Sequence, residues 1–270
     1  MMNLGKKIND ALTHHFGVQP LAQSQEDIAR WLQTPLGQRV LASEQQLLNK
    51  IMPSMYGYHL MQLSVLPNSA LSSLSPVTHH FSLGVTPETA VKAVTRFEQL
   101  PIDTESVDVA IIHHALEYST HPHQLLRDTA RTIIPNGYLI VVGFNPWSPL
   151  ASKKLLGRIF TRRPHWRYHD LHRSRVVDWL QVLDFEPASL RYGYHGLPFN
   201  RGHRSRLEQF TRWLLPATGM FYIIVARKSV TPMTIIKKPW KETGPLPQWV
   251  KGGVVSNRPA ASSAPRQTIQ

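Results

Sequence analysis

The chain has 270 residues, a formal charge of +13 and no cysteine, which excludes disulfides, thiolate catalysis and Cys-based zinc sites and fits a reducing compartment. With 42% hydrophobic residues, among them 7 Trp and 9 Phe, it can bury the core of one generous domain plus appendages. No run nears the roughly 18–20 apolar residues that span a bilayer, and the polar Met1–Gly17 stretch has no signal-peptide apolar segment, so a soluble cytoplasmic protein is expected.

Residues 24–50, "SQEDIARWLQTPLGQRVLASEQQLLNK", show helical spacing, with Ile28, Trp31 and Leu32 on one face and Val40, Leu41, Leu47 and Leu48 further on. Ser24 with Asp27 reads as an N-cap pair, and Pro35 and Gly37 break the stretch into two helices. Residues 1–50 are therefore expected as a helical extension that caps the sheet or the cofactor mouth. Strands are expected at His59–Leu63, His79–Leu83, Val107–Ile112 and Tyr138–Phe144, with a weaker one at Thr95–Phe97. The runs "VDVAII" and "YLIVVGF" are apolar on both faces, as parallel strands covered by helices must be.

Between those two runs, "THPHQLLRDTARTIIPNG" reads as a helix. Thr120 is its cap, Pro122 sits in the first turn, and Leu125, Leu126, Ala130, Ile133 and Ile134 form its buried stripe. Asn136-Gly137 then supplies a tight turn. Strand, helix and strand at that length make a right-handed βαβ unit, and hence a doubly wound α/β sheet. A further helix is expected at Arg175–Leu183 and a last strand at Gly219–Ser229. The α/β domain is thus assigned to 51–230. The Pro/Gly/Ser-rich 231–270 segment is too poor in apolar residues to order itself.

Lys153 to Arg212 holds thirteen lysines and arginines against five acids, a net +8. Residues 150–212 are expected as a basic cover over the domain. Its clusters at Arg158–Arg175 and Arg201–Arg212 would attract phosphates, nucleic acid or an anionic surface. Within it, "HWRYHDLH" spaces His165, His169 and His172 as one helix face would. With no companion acid beyond Asp170 no metal is expected there, and Trp166 and Tyr168 among arginines better suit phosphate contact and base stacking.

The stretch "ESVDVAIIHHALEYSTHPHQLLRDTARTIIPNGYLIVVGFNPWSP" resembles the class I S-adenosylmethionine-dependent methyltransferases, in particular their bacterial type-11-like group. The matching features are Asp108 opening the strand, His113 or His114 with Leu116 and Glu117 after it, the Leu-Leu-Arg helix and the Gly-Phe-Asn-Pro that follows. "LGQRVLASEQQLL" and "YIIVARKSV" extend the resemblance over roughly residues 28–240. It implies a Rossmann-like sheet of seven strands with the last antiparallel. It also implies S-adenosyl-L-methionine held above the carboxyl ends of the first strands, which agrees with the general rule for open α/β sheets.

Carried over position by position, the resemblance puts Leu63, Ser64, Asn68, Gly84, Glu88, Glu98, Gln99, Ile112 and His113 around the cofactor. His113, His114 and Glu117 become the candidate acid/base groups, set at the carboxyl end of a strand that faces the pocket. Three departures stand out. The Gly-x-Gly loop is replaced by Ser64-Val65-Leu66-Pro67-Asn68, no acid follows the second strand before Glu88, and Arg96 stands where an Asp is usual. Asn145-Pro146-Trp147 is similar to an amino-methylating motif but lacks its second proline and follows a different strand, so Trp147 is at most a wall of the acceptor pocket. The expected function is methyl transfer to an unidentified acceptor. The alternative is a non-catalytic module of the same fold that binds nucleic acid or a protein through its basic segment.

Overall fold

A computed structural model describes residues 21–66, 71, 73–87, 91–148, 169–195 and 218–229. The chain divides into two units, Met1–Val230 and Thr231–Gln270, and every described residue lies in the first. Most of the expected basic cover, 150–168 and 196–212, falls outside the described residues, as does the 231–270 segment.

Helices α1 (Leu21–Leu32) and α2 (Pro35–Ile51) come first. Ser24 does not start a helix: it lies inside α1, and Asp27 pairs with Arg30 at 3.0 Å. The break falls where Pro35 and Gly37 put it. Thr34 caps α2, its hydroxyl accepting from the Gly37 N–H at 3.2 Å, and Pro35 opens the helix where its missing N–H costs nothing. Gly37 is demanded by close approach, because a Cβ there would lie 2.4 Å from the Trp31 carbonyl oxygen. Leu36, Val40, Glu44, Leu48 and Ile51 are buried on one face of α2, in steps of three and four that a helix lines up. A glutamate therefore sits in the middle of an otherwise apolar stripe.

The strands are β1 (His59–Ser64), β2 (His79–Gly84), β3 (Ala93–Val94), β4 (Val107–His113), β5 (Ile133–Phe144), β6 (Phe185–Gly193) and β7 (Phe221–Lys228). They form one seven-stranded sheet in the order β3-β2-β1-β4-β5-β7-β6. The strands from β1 to β5 pair parallel, and β7 runs antiparallel between β5 and β6. Helices α3 (Ala115–Tyr118), α4 (Pro122–Thr132) and α5 (Arg173–Val182) complete the described α-helices. This is the expected doubly wound, Rossmann-like sheet with N-terminal helices. The strand order reverses between β1 and β4, the switch point at which open α/β sheets leave a crevice beyond their carboxyl ends.

Two local expectations are corrected. The third strand is Ala93–Val94, and Thr95–Phe97 instead enters a turn closed by an Arg96–Gln99 bridge. Ile133 and Ile134 belong to β5 and not to the α4 stripe, with Ile133 buried and paired to Val107. β-Branched residues favour extended backbone, so the strand begins directly after Thr132. Asn136, at φ 65°, then takes up a register shift within β5 instead of making a turn between elements. At the other end of the sheet the Asp108 carboxylate accepts from the N–H groups of Tyr58 and His59 at 2.9 and 2.8 Å, tying the starts of β1 and β4 together. Among the described residues, no helix is long and apolar enough to cross a membrane.

Candidate active site

Side chains alternate along a strand, so consecutive His113 and His114 should point to opposite faces. They do not, because His114 leaves β4 in the left-handed conformation, φ 54° and ψ 5°. The bend brings its ring to 4.6 Å from that of His113 and stacks it on Phe144 at 3.9 Å. Both imidazoles meet Glu44 from α2: His113 Nε2 lies 3.1 Å from Oε2, and His114 Nε2 lies 3.0 Å from Oε1. On its far side His113 Nδ1 is 2.8 Å from Ser64 Oγ, which also accepts from the Leu66 N–H. The Nδ1 of His114 is 3.5 Å from Oε2 of Glu117, and neither atom has a hydrogen-bond partner. The other oxygen of Glu117 accepts from the Phe144 N–H.

Glu44, His113 and His114 are fully buried and Glu117 nearly so, and burial sets their electrostatics. Burial alone would push the Glu44 carboxyl up, but the His114 charge and the hydrogen bonds to both rings hold it at about 2. Burial would likewise push His114 down, yet the Glu44 and Glu117 charges raise it to about 10. His113 is lowered, first by burial and then by the His114 charge. Tyr222 is raised well above its usual value by burial and by the Glu117 charge. The cluster is thus a carboxylate between one neutral and one cationic imidazole, with a second carboxylate behind.

A cavity of about 740 Å³ opens over the ends of β2 and β3 and the turn after α3. Its walls include Val85, Thr95, Phe97, Glu98, Gln99 and Ser119. The loop that carries Glu98 is firmly held: Thr95 Oγ1 donates to the Gln99 carbonyl at 2.9 Å, and the Leu100 N–H donates to Asp128 on α4. The Arg131 guanidinium caps the Leu100 and Ile102 carbonyls at 3.2 and 2.9 Å. Ser119 donates to Glu98 Oε1 at 2.8 Å and accepts from the His121 N–H, which fixes the carboxylate at the cavity wall. A carboxylate accepts about four hydrogen bonds, so acceptor capacity remains.

The sequence-predicted residues fall in different places. Glu98 and Gln99 line the cavity. Leu63 and Ile112 are paired in register inside the sheet and fully buried, as are their neighbours Ser64 and His113. Gly84 ends β2, where a Cβ would meet Val91 at 2.7 Å. Asn68 and Glu88 lie outside the described residues.

Two further expectations are corrected. His113, His114 and Glu117 do not face open space but are enclosed beneath α2, which carries the acid that pairs with both rings. His169 and His172 precede α5 and do not lie on a helix; His169 Nε2 bonds the Ser119 carbonyl at 3.1 Å instead, and His165 lies outside the described residues. Trp147 is 76% exposed, whereas Asn145 is buried and donates to the Gly219 carbonyl at 2.8 Å. Sequence reasoning missed Glu44 and Ser119. For Glu44 the available signal was its place four residues from both Val40 and Leu48.

Comparison with known proteins adds three findings. Residues 77–141 match the family described as a methyltransferase domain. The uncharacterised protein YafS of Escherichia coli is 31% identical over 218 residues, covering 81% of this chain and 87% of YafS. Among solved structures, an S-adenosylmethionine-dependent methyltransferase of Thermotoga maritima, described as a possible histamine N-methyltransferase, superposes with a TM-score of 0.54 at 17% identity, over 70% of this chain and 89% of that one. A methyltransferase of Archaeoglobus fulgidus reaches 0.50 at 13% identity, over 68% and 92%.

Proposed function

Because the chain belongs to the class I S-adenosylmethionine-dependent methyltransferase family, in one group with YafS, we propose that it moves a methyl group from S-adenosyl-L-methionine to a nucleophilic oxygen, nitrogen or carbon of an acceptor. The observation that carries this reading is the 740 Å³ cavity with Glu98 fixed at its wall. Its volume is within the range of about 300–1,000 Å³ usual for small-molecule sites.

The residues present suit the nucleoside part of the cofactor. Glu98 has acceptor capacity for the ribose hydroxyls, the role otherwise taken by an acid after the second strand. Phe97, Val85 and Gln99 provide apolar and amide contacts for the base. The turn after β1 offers less. Its Val65 N–H donates to the His113 carbonyl and its Leu66 N–H to Ser64 Oγ, so neither donor is spare for the amino-acid end.

The bound cofactor supplies a methyl group already made electrophilic by the sulfonium. The protein's share is then orientation of the acceptor. His113, His114 and Glu117 have a structural place in this reading, being enclosed and linked to Glu44, Ser64 and the Phe144 N–H. The net positive charge between residues 153 and 212 favours an anionic acceptor or partner, nucleic acid included. Calorimetry with S-adenosylmethionine and with S-adenosylhomocysteine tests the proposal. One site per chain is expected, and no heat from either compound at millimolar concentration would overturn it.

A further inference from the structure

We propose that Glu44, His113 and His114 form a buried site for one divalent transition ion of the zinc type. The three side chains come from α2 and from the end of β4, and one ligand atom from each lies within 4.8 Å of the others. The Glu44 oxygens stand 3.1 and 3.0 Å from the two Nε2 atoms. Zinc bonds of about 2.0–2.2 Å to nitrogen and oxygen put neighbouring tetrahedral ligands roughly 3.3 Å apart. The two carboxylate-to-imidazole spacings, one from each Glu44 oxygen, therefore fall near that of neighbouring ligands in a coordination shell.

The atoms behind the ligands point the same way. A metal-bound histidine donates its outer N–H to a carboxylate, a carbonyl or another fixed polar group. Here His113 Nδ1 faces Ser64 Oγ at 2.8 Å, and His114 Nδ1 faces Glu117 Oε2 at 3.5 Å. Without an ion, His114 Nδ1 and Glu117 Oε2 face each other at 3.5 Å, too long for a good hydrogen bond. A bound cation would take the place of the His114 Nε2 proton, leaving the Nδ1 N–H to Glu117 and the Nε2 lone pair, 3.0 Å from Glu44, to the ion. The charge balance agrees. Two buried carboxylates converge on the histidine pair, and among the described residues no lysine or arginine pairs with either. A divalent ion, displacing the proton that makes His114 cationic, neutralises both.

Two imidazoles with one carboxylate suit zinc and its neighbours, whereas magnesium and calcium prefer oxygen throughout. Bound there, the ion would lock α2 across the carboxyl ends of β1 and β4. The site does not depend on the cofactor reading.

The test uses the full chain, stripped with chelator and titrated with Co²⁺ while its visible absorption is followed, with Zn²⁺ as competitor. The expected result is one Co²⁺ per chain, with d–d bands that Zn²⁺ abolishes. Binding should weaken by at least about a hundredfold in Glu44→Gln and by about 10–100-fold in Ser64→Ala, which keeps all three ligands but removes the partner of His113. Circular dichroism checks that both variants fold, and Ser64→Ala decides the matter if Glu44→Gln does not. Absence of Co²⁺ bands in the natural chain, or unchanged one-ion binding in both variants, would overturn the site.

Discussion

Replacing Glu44 by Ala tests the cluster most directly. The carboxylate accepts from two buried imidazoles, at 3.1 and 3.0 Å, and nothing else described reaches those nitrogens. Its removal leaves two buried polar atoms unpaired, at about 1–3 kcal/mol each, and opens a void in the α2 stripe between Val40 and Leu48. Breaking a buried charged pair by deleting one partner costs roughly 3–5 kcal/mol, and the two routes agree. For a domain of this size about 2–4 °C is lost per kcal/mol, so the melting point should fall by about 6–20 °C. Because total stability is usually about 5–15 kcal/mol, the variant should remain folded at 25 °C. Urea unfolding followed by circular dichroism, with chelator present to exclude metal, measures the loss. Glu44→Gln keeps the volume and one acceptor oxygen, and its cost should be roughly half. An Ala variant within about 1 kcal/mol of the natural chain would mean that α2 does not lie over β4 as described and that the two imidazoles do not share its carboxylate.

Further outcomes are expected elsewhere in the molecule. Glu98→Gln should weaken S-adenosylmethionine binding by about 10–100-fold, the equivalent of one charged hydrogen bond of roughly 1.5–3 kcal/mol, as read by calorimetry. Thr34→Ala removes the cap whose hydroxyl accepts from Gly37 and should cost about 1 kcal/mol in urea unfolding. Gly193→Ala would put a methyl 2.1 Å from Cζ of the buried Phe221 ring, an overpacking that should cost about 1–3 kcal/mol by the same measurement. If the basic segment contacts phosphates, the affinity for single-stranded RNA should fall linearly on a log–log plot against salt. A flat plot would exclude that mode of binding.

Much of the scaffold was legible in the residues alone. The doubly apolar runs at Val107–Ile112 and Tyr138–Phe144, with an amphipathic helix between them, already specify parallel strands joined by a crossover, because each signal is carried by neighbours in the chain. Pro35 and Gly37 marked the helix break for the same reason. The cap expected at Thr120 does not form, as His121 precedes the helix without a side-chain cap. Glu98 and Gln99 were found only through the family resemblance, and the packing then set them at a cavity by tying their loop to Asp128, Arg131 and Ser119. What lay beyond local pattern was the assembly at the end of β4. Glu44 and His113 are 69 residues apart, and no periodicity links them. His114 reaches the same carboxylate only because its backbone turns left-handed, which the alternation of a strand does not foretell. A glutamate in a helical stripe reads as a surface residue until a second element covers it. Only tertiary packing, by removing water from four polar side chains together, makes them answer to one another.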